Sequence, residues 1–545
     1  MASPRLRSQA SGAWLACLLF MTQGLFATAY NVRDYGAKGD GQAIDSPAIN
    51  AAIEAASDAG GGTVVLPAGT YRSFSIRLQS HITLELQSGA TLLAASPDDG
   101  DGRYDEPEPN KWGDELRYQD FGHSHWRNSL IWGENLENIA IVGHGLIDGE
   151  GLQSHVDYSD EKARNGHANK AIALRECRNV TLRDFSVLKG GHFMLLATGV
   201  DTMTIDNLKI DTNRDALDID ACRNVRISNC SINSLNDDAI VLKASYALGE
   251  VRHCEDITIT NCLVSGYDIG SMLDATYRTE TKKAVDQDGP TARIKLGTES
   301  NGDFRNITIS NCVFRRSRGL AIESVDGSNI ENIVVSNLVM HDVSNAPIFL
   351  RLGNRARGPE GTSVGSIRGV QISGISVHDA DGRFPIILAG LPGHPIEDVL
   401  LQDIRVVSRG GITMADVAEQ PEHLANHFFL RGKEEGVRGP REPFAVPLRE
   451  KAYPEPSMFG LLPASVLYAR HVEGLEVRGL HYTLTEDDER PLVVLHEATD
   501  VLFEGFAAQP SSGGSFRLQE VTDFETYRCK FVPDQKLREA ELQTF

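Results

Sequence analysis

Three aspartates stand out by type and spacing. Asp215 ends the run Asn213-Arg214-Asp215, and the pair Asp237-Asp238 follows 22 residues later. Cleaving a glycosidic bond takes one carboxylic acid to protonate the leaving oxygen and a carboxylate on the other side of the sugar. A separation of ~5–5.5 Å implies retention of configuration, and ~6.5–9.5 Å admits an activated water and inversion. If short segments stack as rungs ~4.8 Å apart, residues at the same phase of consecutive rungs meet. Three crowded carboxylates then raise at least one pKa, which keeps an acid protonated near neutrality. The competing reading is that these are solvated turn aspartates, since Asp is common in turns.

The elements that would position them recur along the chain. From Thr63 onward short β-branched runs alternate with turns: NVTLRDFSVL, TMTIDNLKI, NVRISNCSI, DITITNCLV and NITISNCVF. The aligned turn positions Asn179, Thr202 and Asn224 are spaced 23 and 22 apart. A repeat of this length with Asn-rich turns is the signature of a solenoid, here an all-β parallel β-helix with Asn ladders or left-handed turn residues. Cys230, Cys262 and Cys312 recur in ISNC, ITNC and ISNC contexts, so they read as an interior stack and not as disulfides or metal ligands. Asp45-Ser46-Pro47 starts one helix with Ile49, Ala52, Ile53 and Ala56 on a single face, and Gly60-Gly61-Gly62 stops it. This helix is expected to plug the first rung. Loop insertions are expected at about 96–127, 266–292 and 408–468, with an irregular C-terminal cap at about 470–545.

The N-terminus carries Arg5 and Arg7, the apolar run Ala13–Ala27 and the small-residue site Ala27-Thr28-Ala29. This pattern predicts a secretory signal over residues 1–29, an exported domain over 30–545, and a destination in the periplasm or the medium. No later apolar run reaches the ~18 residues of a membrane helix. The formal net charge of -22 disfavours nucleic acid and anionic membranes as partners. The oligomeric state is not specified by the sequence.

With these motifs in hand, the chain resembles the polygalacturonase family, glycoside hydrolase family 28. The resemblance runs from about Tyr30 to Val343. It rests on YGAKGDG, GGGTVVLPAGTY, IAIVGHGLIDGEG, the Asn-x-Asp turn, the Asp-Asp turn with IVLKAS, and LGTESNGDFRNITISNC. It implies a right-handed parallel β-helix that hydrolyses pectic α-glycosides with inversion and needs no metal or other cofactor. Carried over by position, Asp237 is the general acid, and Asp215 with Asp238 activates the water. The departures are specific. Arg214 replaces the middle Thr of the family's Asn-Thr-Asp. Thr291-Ala292-Arg293 stands where Gly-His-Gly belongs, and Ala321-Ile322-Glu323 where Arg-Ile-Lys belongs. Arg293-Ile294-Lys295 spells that last motif one rung early. Glu323 in place of a cation points to a different terminal sugar, such as rhamnose beside galacturonate, and the large loops fit exo action on an oligosaccharide or polysaccharide.

Candidate substrate-binding residues are Asn213, Arg214, Lys243, Arg293, Lys295, Glu299 and Glu323. Asp218 and Asp220 alternate with Leu217 and Ile219, which suits an outward strand face and a structural role. His123, His125 and Trp126 read equally as a sugar-binding cluster and as loop packing, without a clear third metal ligand. His192 reads as a packed histidine, while Arg351 and the YPEPSMFG segment form a subsite wall or cover the solenoid's side. Two other functions compete: a β-helix polysaccharide lyase, and a non-catalytic glycan-binding β-helix.

Overall fold

Left-handed corner residues let the chain turn at the end of each short strand. The structure is a computed structural model that describes Met1 and residues 29–112, 117–154, 165–430 and 439–545. It winds the segments into a parallel β-helix, as the repeats predict. Asn138, Asn179, Thr202 and Asn224 occupy φ of 55°, 54°, 61° and 58°. Their side chains ladder along the corner: Asn179 Nδ2 donates to Asn138 Oδ1 at 2.6 Å, and Asn224 Nδ2 to Asp201 Oδ1 at 2.9 Å. Both expected devices, ladders and left-handed turns, are present. The apolar run of the expected secretory segment lies outside the described residues. Among those residues no helix is long and apolar enough to cross a membrane.

Register follows from the inward side chains. Leu195, Leu217, Ile240, Ile294, Leu320 and Ile348 stand one above another on successive rungs, all buried. Each stabilises the fold by roughly 1.5–3 kcal/mol. A slip by one residue would turn this whole column outward, so the pairing is strongly specified. Cys230, Cys262 and Cys312 are buried free thiols at one corner, and Cys230 Sγ donates to the Ser228 carbonyl.

The Ser46–Asp58 helix buries Ile49, Ala52, Ile53 and Ala56 against the first strands, as expected. Its N-cap differs in detail. Asp45 makes no capping bond to the helix; its carboxylate instead accepts from the Lys38 and Gly39 amides at 2.6 and 2.9 Å. The C-terminal region also departs from expectation. The irregular cap is absent: strands Leu467–Arg478, Val493–Glu504 and Phe516–Tyr527 continue the parallel ladder. Only the antiparallel strand Gln535–Thr544 ends it, pairing with an edge that would otherwise be open.

One outward-facing column positions the site. It runs Ala173, Leu196, Asp218, Val241, Lys295, Ala321, Phe349, Ile387, Tyr468 and Val494. Its two ends are apolar and its middle is charged. Trp126 of the first insertion packs on Ala173 and Leu196. Met458 and Phe459 of the last insertion pack on Phe349, Ile387 and Tyr468. The insertions therefore settle on the apolar ends by ordinary burial, and the charged rungs between them remain as a short groove.

Candidate active site

The turns that precede successive strands stack as the strands do. Ala216 N donates to the Asp238 carbonyl at 3.0 Å, and Ala292 N to the Asp237 carbonyl at 3.0 Å. Arg214-Asp215, Asp237-Asp238 and Ala292-Arg293 thus lie on consecutive rungs. Asp215, Asp237 and Asp238 each bring a carboxylate oxygen within 4.8 Å of the others. The Asp238 amide ties the group together, donating to Asp237 Oδ1 at 3.0 Å and to Asp215 Oδ1 at 3.3 Å.

Each carboxylate has its own cations. Arg214 Nη2 lies 2.7 Å from Asp237 Oδ2. Asp238 takes Arg293 Nε at 2.6 Å on one oxygen and Lys295 Nζ on the other. Lys243 Nζ lies 2.7 Å from Asp218, 3.5 Å from Glu299 and 3.8 Å from Asp215. His123 Nε2 meets Lys243 Nζ at 2.5 Å and Asp218 at 3.4 Å. The protonation states diverge accordingly. Burial, then the neighbouring Asp237 charge, pushes Asp215 well above the ordinary carboxylate range. Burial also acts on Asp237, but Arg214, then Lys295, His192 and Lys243 outweigh it and hold that carboxyl below its usual range. A divalent cation would have to compete with Arg214, Arg293 and Lys295 for the same oxygens, so the donor set does not fit a metal.

Beside Asp237 opens a pocket of about 440 Å³ lined by Arg214, Arg293, Arg318, Arg449, Tyr453 and Glu455, among others. Its far wall comes from the insertions. Glu455 Oε2 takes Arg293 Nη1 at 2.9 Å, and its other oxygen takes Asn345 Nδ2 at 2.9 Å. Arg318 grips Asp286 with both Nη atoms at 2.6 and 2.5 Å. Asn426 Nδ2 donates to the Asp286 carbonyl at 3.0 Å, which locks 408–468 onto 266–292. Across the groove Arg357 Nη2 meets Asp120 Oδ1 at 2.9 Å, joining 96–127 to the loop after the Ile348–Leu352 strand.

Comparisons with known proteins agree with this geometry. The family pattern described as Glycosyl hydrolases family 28 matches residues 116–280, which contain all three aspartates. Over these residues the chain is similar to that family. A second pattern, Rhamnogalacturonase A/epimerase, pectate lyase-like, matches residues 29–90. An exo-poly-alpha-D-galacturonosidase of Dickeya chrysanthemi is 33% identical over 177 residues, covering 32% of this chain and 27% of that protein. A probable polygalacturonase of Vitis vinifera is 28% identical over 244 residues, covering 43% and 48%. The matched stretch thus spans between a quarter and a half of these curated relatives. In fold, the chain is similar to a hyperthermoactive exopolygalacturonase from Thermotoga maritima, with TM-score 0.52, 20% identity, and 70% and 87% of the two chains covered.

The family 28-like site draws in the predicted residues unevenly. Arg293 and Lys295 are buried on Asp238. Lys243 and Glu299 pair with each other beneath the carboxylates, and Arg355 adds a cation 3.6 Å from Glu299. Asn213 serves the turn: its side-chain oxygen accepts from the Asn236 amide on the next rung. Glu323 is fully buried, and neither carboxyl oxygen has a hydrogen-bond partner. Burial raises it to about 8 against the opposing pull of Arg293 and Lys295. Its expected contact with substrate is therefore corrected, because no part of it reaches the surface.

The weighed alternatives also resolve. Asp220 accepts Ser245 N and Oγ at 2.8 and 2.6 Å, a structural role, with burial raising it to about 6. Asp218 lies in the outward column as expected and is buried there as the counter-charge of Lys243. Trp126 is packed, donating Nε1 to Thr198 Oγ1 at 3.0 Å, while His123 reaches the Asp215 neighbourhood. Arg351 donates to the Leu448 and Arg449 carbonyls at 3.0 and 3.2 Å and so anchors the insertion to the solenoid. Tyr453 and Glu455 line the pocket, the subsite-wall alternative for the YPEPSMFG segment, while Arg318 carried no signal as a site residue.

Proposed function

We propose that this chain is an exported glycoside hydrolase that removes terminal sugars from pectic oligosaccharides. The observation that carries the reading is the convergence of Asp215, Asp237 and Asp238 within 4.8 Å on adjacent rungs. Asp237, which borders the pocket, protonates the leaving oxygen, and Asp215 with Asp238 holds and activates the water. The names of the relatives support galacturonate-containing substrates. So does the pocket: four arginines line it, against the acidic Asp237, Asp286 and Glu455. The Arg-Ile-Lys signature is missing from its usual rung, yet positive charge reaches the groove from neighbouring rungs. This favours galacturonate over rhamnose in the pocket.

Exo action is supported by the covered ends of the outward column and by the interlocked insertions, which leave a short groove where a long polymer would need an open one. Inversion rests on the family resemblance, because the oxygens stand closer than the ~6.5–9.5 Å of the usual inverting pair. Export is supported by the charged and then apolar N-terminal pattern.

The test is product analysis on homogalacturonan and rhamnogalacturonan oligosaccharides, with ultraviolet absorbance followed in parallel. Release of a saturated monosaccharide without absorbance is expected. Rising absorbance would mark an unsaturated product and a lyase, and binding without turnover would leave a glycan-binding β-helix.

A further inference from the structure

Arg214 is the residue by which the Asn-x-Asp turn departs most from its family, and the structure gives it two neighbours at once. Its Nη2 lies 2.7 Å from Asp237 Oδ2, while the same side chain lines the pocket beside Asp237. Its Nε is buried and has no hydrogen-bond partner. A guanidinium offers five donors in a planar fork suited to a carboxylate, and here part of that fork is unspent. Yet a residue that must deliver a proton gains nothing from a permanent ion pair with arginine, which favours its ionised form.

We propose that Arg214 is a shared guanidinium: it pairs with Asp237 until an anionic sugar occupies the pocket, then turns to the sugar's carboxylate and releases Asp237 to act as the acid. The inference rests on the hydrolase reading above and names how the same site selects acidic substrates. Once Arg214 has turned, Asp237 takes a proton from solvent. It gives that proton to the glycosidic oxygen as the bond to C1 breaks. Water adds its oxygen to C1, and its proton passes to the Asp238 carboxylate. One water is consumed and no other co-reactant is needed.

The other charges around Asp237 do not provide this switch. Asp215 and Asp238 are its carboxylate neighbours. Lys243 lies with Asp218 and Glu299, and Lys295 with Asp238. Arg293 is held between Asp238 and Glu455, and Arg318 by Asp286. His192, from the turn before the Phe193–Thr198 strand, adds a further positive influence, while Tyr453 and Arg449 stand in the pocket wall. Arg214 is the cation at Asp237 that shares its pocket surface and keeps an unspent donor.

The experiment compares pH profiles on an oligogalacturonide and on its neutral methyl ester, for wild type, Arg214→Gln and Arg214→Lys. The kcat/KM profile reports the free protein and kcat the complex. For wild type on the acidic substrate, the basic limb of kcat is expected at least about one pH unit above that of kcat/KM, a tenfold change in the acid's ionisation. On the ester the two limbs coincide. In Arg214→Gln the kcat/KM limb moves up, and the preference for acid over ester is lost. Coincident limbs for wild type on both substrates would overturn the proposal. So would an unmoved limb in a folded Arg214→Gln protein; if thermal melting shows that variant unfolded, the wild-type comparison still decides. Failure of wild type to hydrolyse either substrate would overturn the hydrolase reading itself, a separate result.

Discussion

Asp238 and Glu455 share one guanidinium: Arg293 holds the first through Nε at 2.6 Å and the second through Nη1 at 2.9 Å. All three are buried. A loop inserted far along the chain is thereby wired to a carboxylate of the site. Glu455→Ala leaves Arg293 with unbalanced charge in a dry setting, where loss of one partner costs about 3–5 kcal/mol. A matching fall in unfolding free energy, measured by denaturant titration, is expected together with reduced turnover. Unchanged stability would show that the insertion is held by its apolar contacts alone.

Asp237→Asn removes the acid and keeps the shape. Its side chain is partly exposed, so the fold should tolerate the change, while kcat falls by about a hundred- to ten-thousand-fold, the usual contribution of a positioned acid. Steady-state kinetics beside a thermal melt checks this. Wild-type turnover by the folded variant would remove Asp237 from the mechanism.

Glu323 gives a pH signature of stability. Its folded-state pKa, about 8, lies above that of the unfolded chain, so the folded state binds the extra proton between the two values. Stability from this group is fully present below the unfolded pKa and is lost as pH rises through about 8. Glu323→Gln, which stays neutral, should therefore gain on wild type between pH ~5 and ~8, by up to about 4 kcal/mol at 1.4 kcal/mol per unit. Parallel stability curves for the two proteins would contradict the buried, unpartnered placement.

How much of this was legible beforehand depended on whether the signal was periodic. The ISNC and ITNC repeats and the Asn corners fixed the solenoid, because inward β-branched side chains and left-handed turns recur at constant spacing. The Asn-x-Asp and Asp-Asp turns pointed to the carboxylates by the same logic, since one repeat in sequence is one rung in space. Arg293-Ile294-Lys295 spells the resembled cation motif one rung early. Its cations stand on Asp238 because their rung is the one stacked next to it, a fact of register that spelling does not carry. Glu455 and His123 were legible only as members of loop segments, YPEPSMFG and HSHW, without their partners. They arrive on aperiodic insertions whose docking is decided by apolar residues of the outward column, Ala173 and Leu196 for the first and Phe349 and Ile387 for the last.

Chelation offers a test of the charge arrangement. Arg214, Arg293 and Lys295 already occupy the carboxylate oxygens, so extensive dialysis against a chelator is expected to leave activity and melting temperature unchanged. Loss of activity restored by calcium would show that a cation displaces these side chains.

The most direct measurement is the first turnovers on a galacturonate trimer in ¹⁸O-labelled water, followed by NMR and mass spectrometry. The account predicts saturated galacturonate released from one end, carrying one ¹⁸O at C1 and formed as the inverted anomer. An unsaturated product without ¹⁸O at C1 would contradict hydrolysis. A retained anomer would show that one of Asp215, Asp237 and Asp238 attacks the sugar directly, contradicting the water-activating role given to Asp215 and Asp238.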